Sequence, residues 1–183
     1  MRGPFVLLRC LLHRLLPAAR PLFVLIALLT PPAALAQSNS EHSVRAVLYY
    51  RLPQFIYWPN SDKPPQPLVL CVVGKTPLAA ALTALAQDSP GYDIRLSPAD
   101  TTACNLLFIA RSEGPRLSAW LAGSEGRATL TVSDIPGFAQ AGGMIELPLE
   151  GERVALVVNR KAAQKQNLDF NAQLLRLARV VAP

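Results

Sequence analysis

The sequence predicts an α/β fold: a single-domain sandwich with a mixed, largely parallel sheet flanked by helices, ending in a β-hairpin and a C-terminal helix. Three observations predict it. The short apolar runs LVLCVV at Leu68–Val73 and NLLFIA at residues 105–110 have the length and composition of strands buried on both faces. Helical stretches alternate with such runs up to residue 132, the pattern of βαβ units. Two later apolar runs, residues 144–149 and 153–158, are separated only by Glu150-Gly151-Glu152, which reads as a hairpin with a Gly-containing loop.

Residues 1–36 are expected to be a signal peptide and residues 37–183 the exported domain. Arg2, Arg9, Arg14 and Arg20 form a positive n-region with no acidic residue. Residues 22–29 (LFVLIALL) form an apolar h-region, and Ala34-Leu35-Ala36 is a small-x-small cleavage site. The apolar run falls short of the roughly 20 residues that cross a bilayer; retention of the segment as an anchor is the alternative. Of 18 basic residues, four lie in this segment, which leaves 14 basic against 12 acidic. The pI of about 9.7 therefore reports the leader, and no clustered basic face predicts a nucleic-acid partner.

In the domain, residues 38–41 offer N-caps to a helix on which Val44, Val47, Leu48, Arg51, Leu52 and Phe55 share one face. Pro53 should kink or end it, because it cannot donate to Tyr49 and crowds that turn. Trp58-Pro59 closes the segment, and residues 60–67 are a Pro-rich loop. After the strand Leu68–Val73, Gly74 turns the chain into a helix at Leu78–Ala86, with Thr76 as N-cap and Pro77 as its first residue. Tyr92–Leu96 is a weaker strand. Residues 116–122 read as a short helix and 128–132 as a third core strand. Gly142 and Gly143, ahead of Met144-Ile145, mark a structural turn where only Gly enters positive φ without strain. Residues 160–166 and 172–181 read as helices, the second with Leu174, Leu175, Leu177, Ala178 and Val181 on one face.

The constellations that carry chemistry are thin. Gly74-Lys75-Thr76 holds only the last three residues of a phosphate-binding loop, and reads better as a strand-exit turn and helix cap. Outside the leader the only histidine is His42, read as a solvated residue at a helix start. With that one His, and two Cys that read as paired, both a Ser-His-Asp triad and a zinc site are starved of residues. No catalytic residue, metal or cofactor is expected, and the protein is not expected to be an enzyme. Cys71 and Cys104 are an even pair in a chain that reads as exported, and a disulfide between them is expected. It would close a loop of about 34 residues, contributing ~3–4 kcal/mol; two buried thiols are the alternative. Asp134 follows a core strand, where α/β proteins place functional groups, although Ser133-Asp134-Ile135-Pro136-Gly137 is also turn chemistry. Trp58 and Trp120 are candidate anchors or core residues. Trp58 and Asp134 are the candidate partner or ligand contacts.

Four blocks of the chain resemble the YfiR family of exported bacterial proteins. They are Phe55-Ile56-Tyr57-Trp58-Pro59; the strand Leu68–Val73 with Gly74, followed by Cys104-Asn105-Leu106-Leu107-Phe108-Ile109; Leu130-Thr131-Val132-Ser133-Asp134 with Gly137-Phe138-Ala139 and Gly142-Gly143-Met144-Ile145; and residues 154–159 with Ala162-Ala163, Leu168 and Leu174-Leu175-Arg176-Leu177-Ala178. The resemblance implies a periplasmic regulator that restrains an inner-membrane diguanylate cyclase by contacting its periplasmic domain, lowering cyclic di-GMP and biofilm formation. It also implies an OmpA-like outer-membrane lipoprotein as a second partner, a homodimer, and a paired-Cys pattern that fits Cys71 and Cys104. Two features depart from the pattern: Pro53 falls inside the first helix, and residues 142–153 carry no Cys for a second disulfide. A small-molecule sensor or carrier is the alternative function, its ligand lying at the carboxyl ends of the strands near Gly74, Ala110 and Asp134.

Overall fold

In the computed structural model, residues 33–59, 61, 63–87, 89 and 91–181 are described; the expected h-region lies outside them. Gln37–Pro183 form one compact unit. Helix α1 (Ala33–Arg51) starts ahead of the caps expected at residues 38–41, because Ala-Leu-Ala before them are strong helix formers. Its buried stripe is Arg45, Ala46 and Tyr49, while Val44 and Val47 are exposed, so the face is turned from the expected one. Tyr49 accounts for the turn. Its hydroxyl donates to the Cys71 carbonyl at 2.8 Å, and its ring meets Phe108 edge-on at 5.6 Å. The helix ends two residues before Pro53, and Leu52–Phe55 tighten into a 3-10 turn. Strand β1 (Ile56–Tyr57) follows.

The alternating region forms as expected. Strand β2 (Leu68–Val73) leads to α2 (Leu78–Ala86), whose first N–H bonds the Thr76 hydroxyl at 3.2 Å. Strand β3 (Tyr92–Leu96) and strand β4 (Leu106–Ile109) come next. A 3-10 segment, Arg111–Arg116, precedes α3 (Leu117–Ser124), and β5 (Leu130–Ser133) follows.

The expected hairpin is present but interrupted. Its strands divide into β6 (Ile145–Glu146), β7 (Leu149–Glu150), β8 (Arg153–Val154) and β9 (Val157–Val158). Pro148 cannot donate to a ladder. Consequently β7 and β8 form a separate two-stranded tip while β6 and β9 join the main sheet. Helix α4 (Arg160–Gln164) and strand β10 (Asp169–Phe170) follow, the latter pairing antiparallel with β1. The last helix, α5 (Ala172–Leu177), stops short of the expected residue 181, and β11 (Arg179–Val180) becomes an edge strand. Of the apolar face expected there, Leu174 is buried and Leu177 is 75% exposed. Val180 and Val181 are β-branched, which favours the strand.

The seven-stranded sheet has the order β11-β9-β6-β5-β4-β2-β3, parallel throughout except between β6 and β9. Strand alternation sorts the core into two layers. Leu68, Leu70 and Val72 of β2 and Leu106 and Phe108 of β4 pack with Tyr49 of α1 and Leu78 and Leu82 of α2. Val69, Cys71, Val73, Leu107 and Ile109 face the other way, with Phe138, Leu117, Trp120 and Leu121 against them. On this second face Cys71 is bonded to Cys104, with a Cα–Cα distance of 5.8 Å across a separation of 33 residues.

Candidate functional site

The strand order fixes where the crevice opens. The chain leaves β2 for α2 on one face, and leaves β4 for α3 on the other. Adjacent parallel strands whose connections depart to opposite faces create a gap beyond their carboxyl ends, where open α/β sheets bind ligands. Gly74 shapes this gap. It has φ +87°, and a side chain there would press on Ser112 Oγ at 2.6 Å and Glu113 Cγ at 2.7 Å. The Lys75 N–H donates to that same Ser112 hydroxyl at 2.8 Å.

A cleft of about 610 Å³ lies at these strand ends, lined by Glu41, His42, Arg45, Lys75, Arg111 and Asp134 among others. They come from four places in the chain. Lys75 follows β2, Arg111 follows β4 and Asp134 follows β5, while α1 brings Glu41, His42 and Arg45 over the top. Two of the cations are anchored through one nitrogen each. Arg45 Nε donates to the Leu147 carbonyl at 3.1 Å, and Arg111 Nη2 donates to the Asp134 carbonyl at 3.0 Å. No ion pair among the described residues joins any of the five charged side chains. Among the described residues, two buried atoms of the cleft lining have no hydrogen-bond partner: His42 Nδ1 and Asp134 Oδ1.

The stretch leading from Asp134 to β6 is held rigid from below. Ser133 Oγ donates to the Ile109 carbonyl at 2.6 Å and accepts from the Ile135 N–H at 2.9 Å. Glu146 is 5% exposed, and its two carboxylate oxygens accept from the Gly137 and Ala139 N–H groups at 3.0 and 3.1 Å. Asn159 donates to the Ala139 carbonyl at 2.9 Å and caps α4 by accepting from the Ala162 N–H at 2.9 Å. Of the glycine pair, Gly142 has φ +103°. Gly143 is outside the left-handed region and answers a different need: a side chain there would run into the Phe138 ring.

The residues singled out from sequence thus fall in separate places. Asp134 lines the cleft, 7% exposed. Trp58 is buried elsewhere, its indole N–H donating to the Pro53 carbonyl at 3.2 Å. Trp120 donates to buried Glu113 at 2.8 Å, and the Arg116 guanidinium lies 5.6 Å from its ring centre. Arg45, Arg111, Glu146 and Asn159 were not singled out for a role. His42, read from sequence as solvated, is half-buried because α1 carries it onto the cleft. Lys75 and Arg111 had a positional signal, each standing two residues beyond the end of a core strand.

The family model that describes YfiR/HmsC-like proteins matches residues 42–179. The chain belongs to the YfiR/HmsC-like family. The match runs from His42 at the cleft to Arg179 in the edge strand, so it takes in every cleft residue but Glu41. No curated protein matches this YfiR/HmsC-like chain. None of its helices, among the described residues, is long and apolar enough to cross a membrane.

Proposed function

We propose that this protein is a periplasmic regulator that restrains an inner-membrane diguanylate cyclase by protein–protein contact, lowering cyclic di-GMP and with it biofilm formation. Membership of the YfiR/HmsC-like family across residues 42–179 carries the proposal. The n-region, h-region and small-x-small site within residues 1–36 support export. The Cys71–Cys104 bond supports an oxidising compartment. The protein acts by binding and not by catalysis, and it works as a homodimer. An OmpA-like outer-membrane lipoprotein is its second partner, relieving the restraint by sequestering it.

The partner claim is tested by cross-linking the tagged protein in intact cells and identifying the membrane proteins attached to it. Recovery of an inner-membrane protein with a cyclase domain is the expected result. Repeated recovery of outer-membrane proteins alone would remove the cyclase from the account.

The cleft favours a second function, in which a small molecule shifts the balance between bound and free regulator. A ligand can do so only by as much as its affinities for the two states differ.

A further inference from the structure

The cleft at the carboxyl ends of β2, β4 and β5 carries charge that no ion pair among the described residues neutralises. Arg45, Lys75 and Arg111 share its lining with Glu41 and Asp134, an excess of one positive charge among its Lys, Arg, Asp and Glu side chains. Asp134 is the informative residue. Its Oδ1 is buried and without a partner, and no hydrogen bond to either carboxylate oxygen exists among the described residues. A buried carboxylate left unpaired costs stability, so the fold alone gives no reason to keep it. Its χ2 is a soft sp³–sp² torsion. Because Asp134 lines the cleft, rotation about this torsion can offer a carboxylate oxygen to a hydroxyl there.

The donors that line the cleft are suited to an anion. The Arg45 and Arg111 guanidinium groups are each fixed by one bond to a backbone carbonyl, at 3.1 and 3.0 Å, which sets their planes beforehand. A planar fork held in this way matches a carboxylate. Lys75 is exposed at the rim and adds a point charge. A dianion would have to face Glu41 and Asp134 as well, so the single excess charge selects a monoanion. The volume, about 610 Å³, is ample for a molecule of several carbons.

We infer that this cleft binds a small hydroxylated monocarboxylate, its carboxylate on Arg45, Lys75 and Arg111 and a hydroxyl on Asp134. The inference rests on the cleft as a ligand site and is independent of the cyclase as partner.

The test is isothermal titration calorimetry of the purified protein with three probes: gluconate, propionate as a carboxylate lacking hydroxyls, and inorganic phosphate. Gluconate is expected to bind one site saturably, about tenfold or more tighter than either other probe. Lys75→Gln, at an exposed position, should weaken gluconate about tenfold. Asp134→Ala should abolish the preference for gluconate over propionate while leaving the melting temperature equal or higher, since no hydrogen bond to the carboxylate it removes exists among the described residues. Several results would overturn the inference. These are no saturable binding of gluconate, equal affinity for propionate or phosphate, unchanged affinity in Lys75→Gln, and a lower melting temperature in Asp134→Ala. Because the readout uses the isolated protein, a failure here leaves the cyclase proposal standing, and the converse also holds.

Discussion

Glu146→Gln is expected to destabilise the protein by about 3 kcal/mol. The carboxylate receives the Gly137 N–H on one oxygen and the Ala139 N–H on the other, at 3.0 and 3.1 Å, in a site 5% exposed. Glutamine keeps the shape but has one acceptor. One of the two N–H groups then faces an amide NH₂, donor against donor, and the other loses its charge-assisted partner. A hydrogen bond to a charged group contributes ~1.5–3 kcal/mol, and an orphaned buried donor costs ~1–3 kcal/mol. For a domain of this size each kcal/mol lowers the melting temperature by about 2–4 °C, so a fall of about 6–12 °C is expected. Urea denaturation followed by tryptophan fluorescence gives the free energy directly, and the slope should be unchanged. Asn159→Ala should couple to it, because Asn159 bonds the carbonyl of the same Ala139. A loss below about 0.5 kcal/mol, the range of an ordinary surface substitution, would refute the idea that this carboxylate holds the loop between β5 and β6.

Three further outcomes are expected. Replacing Cys71 and Cys104 together by Ser should cost ~3–4 kcal/mol in urea denaturation, since the bond closes a long loop, and reductant should lower the melting temperature of the parent protein but not of the variant. Gly143→Ala should cost ~1–3 kcal/mol or more, because its new methyl group must displace the Phe138 ring; denaturation alongside Gly151→Ala, where an added Cβ meets nothing within 4 Å, separates packing from backbone effects. Asp169 should titrate below the ordinary carboxylate value, held there chiefly by its hydrogen bonds with Arg160 at 2.7 Å. A depressed folded value means the stabilisation is present above the unfolded value of about 4 and is lost as pH falls through the lower folded one. Carboxyl NMR checks this, and Arg160→Gln should return the titration upward.

Much of the fold was legible because its signals are local. The runs at β2 and β4 are apolar on both faces, as strands of a covered parallel sheet must be, and Pro53 ended α1 through its missing N–H. The misses have non-local causes. The buried face of α1 was misread because a tyrosine, through one hydroxyl bond to β2 and one ring contact to β4, outweighs two valines. The end of α5 was misread because β11 gains a partner in β9, which helical periodicity cannot report. The hairpin was read correctly as a pairing but not as two pairings, since Pro148 interrupts a ladder only once the ladder is built. At the site, strand ends marked Gly74, Ala110 and Asp134 as a place for a ligand. Nothing in spacing could add Glu41, His42 and Arg45, which α1 delivers from far away in the chain. Glu146 and Asn159 stayed hidden for the same reason: a buried carboxylate and a buried amide look like turn residues until the backbone N–H and carbonyl groups they serve are seen.

The central claim, restraint of a diguanylate cyclase from the periplasm, is tested most directly by intracellular cyclic di-GMP in a strain deleted for this gene. The strain is complemented with the full chain or with a form lacking residues 1–36. The account predicts that cyclic di-GMP rises on deletion and returns to the parental level only with the full chain. Unchanged cyclic di-GMP on deletion across several growth conditions, or equal rescue by the form without residues 1–36, would contradict it.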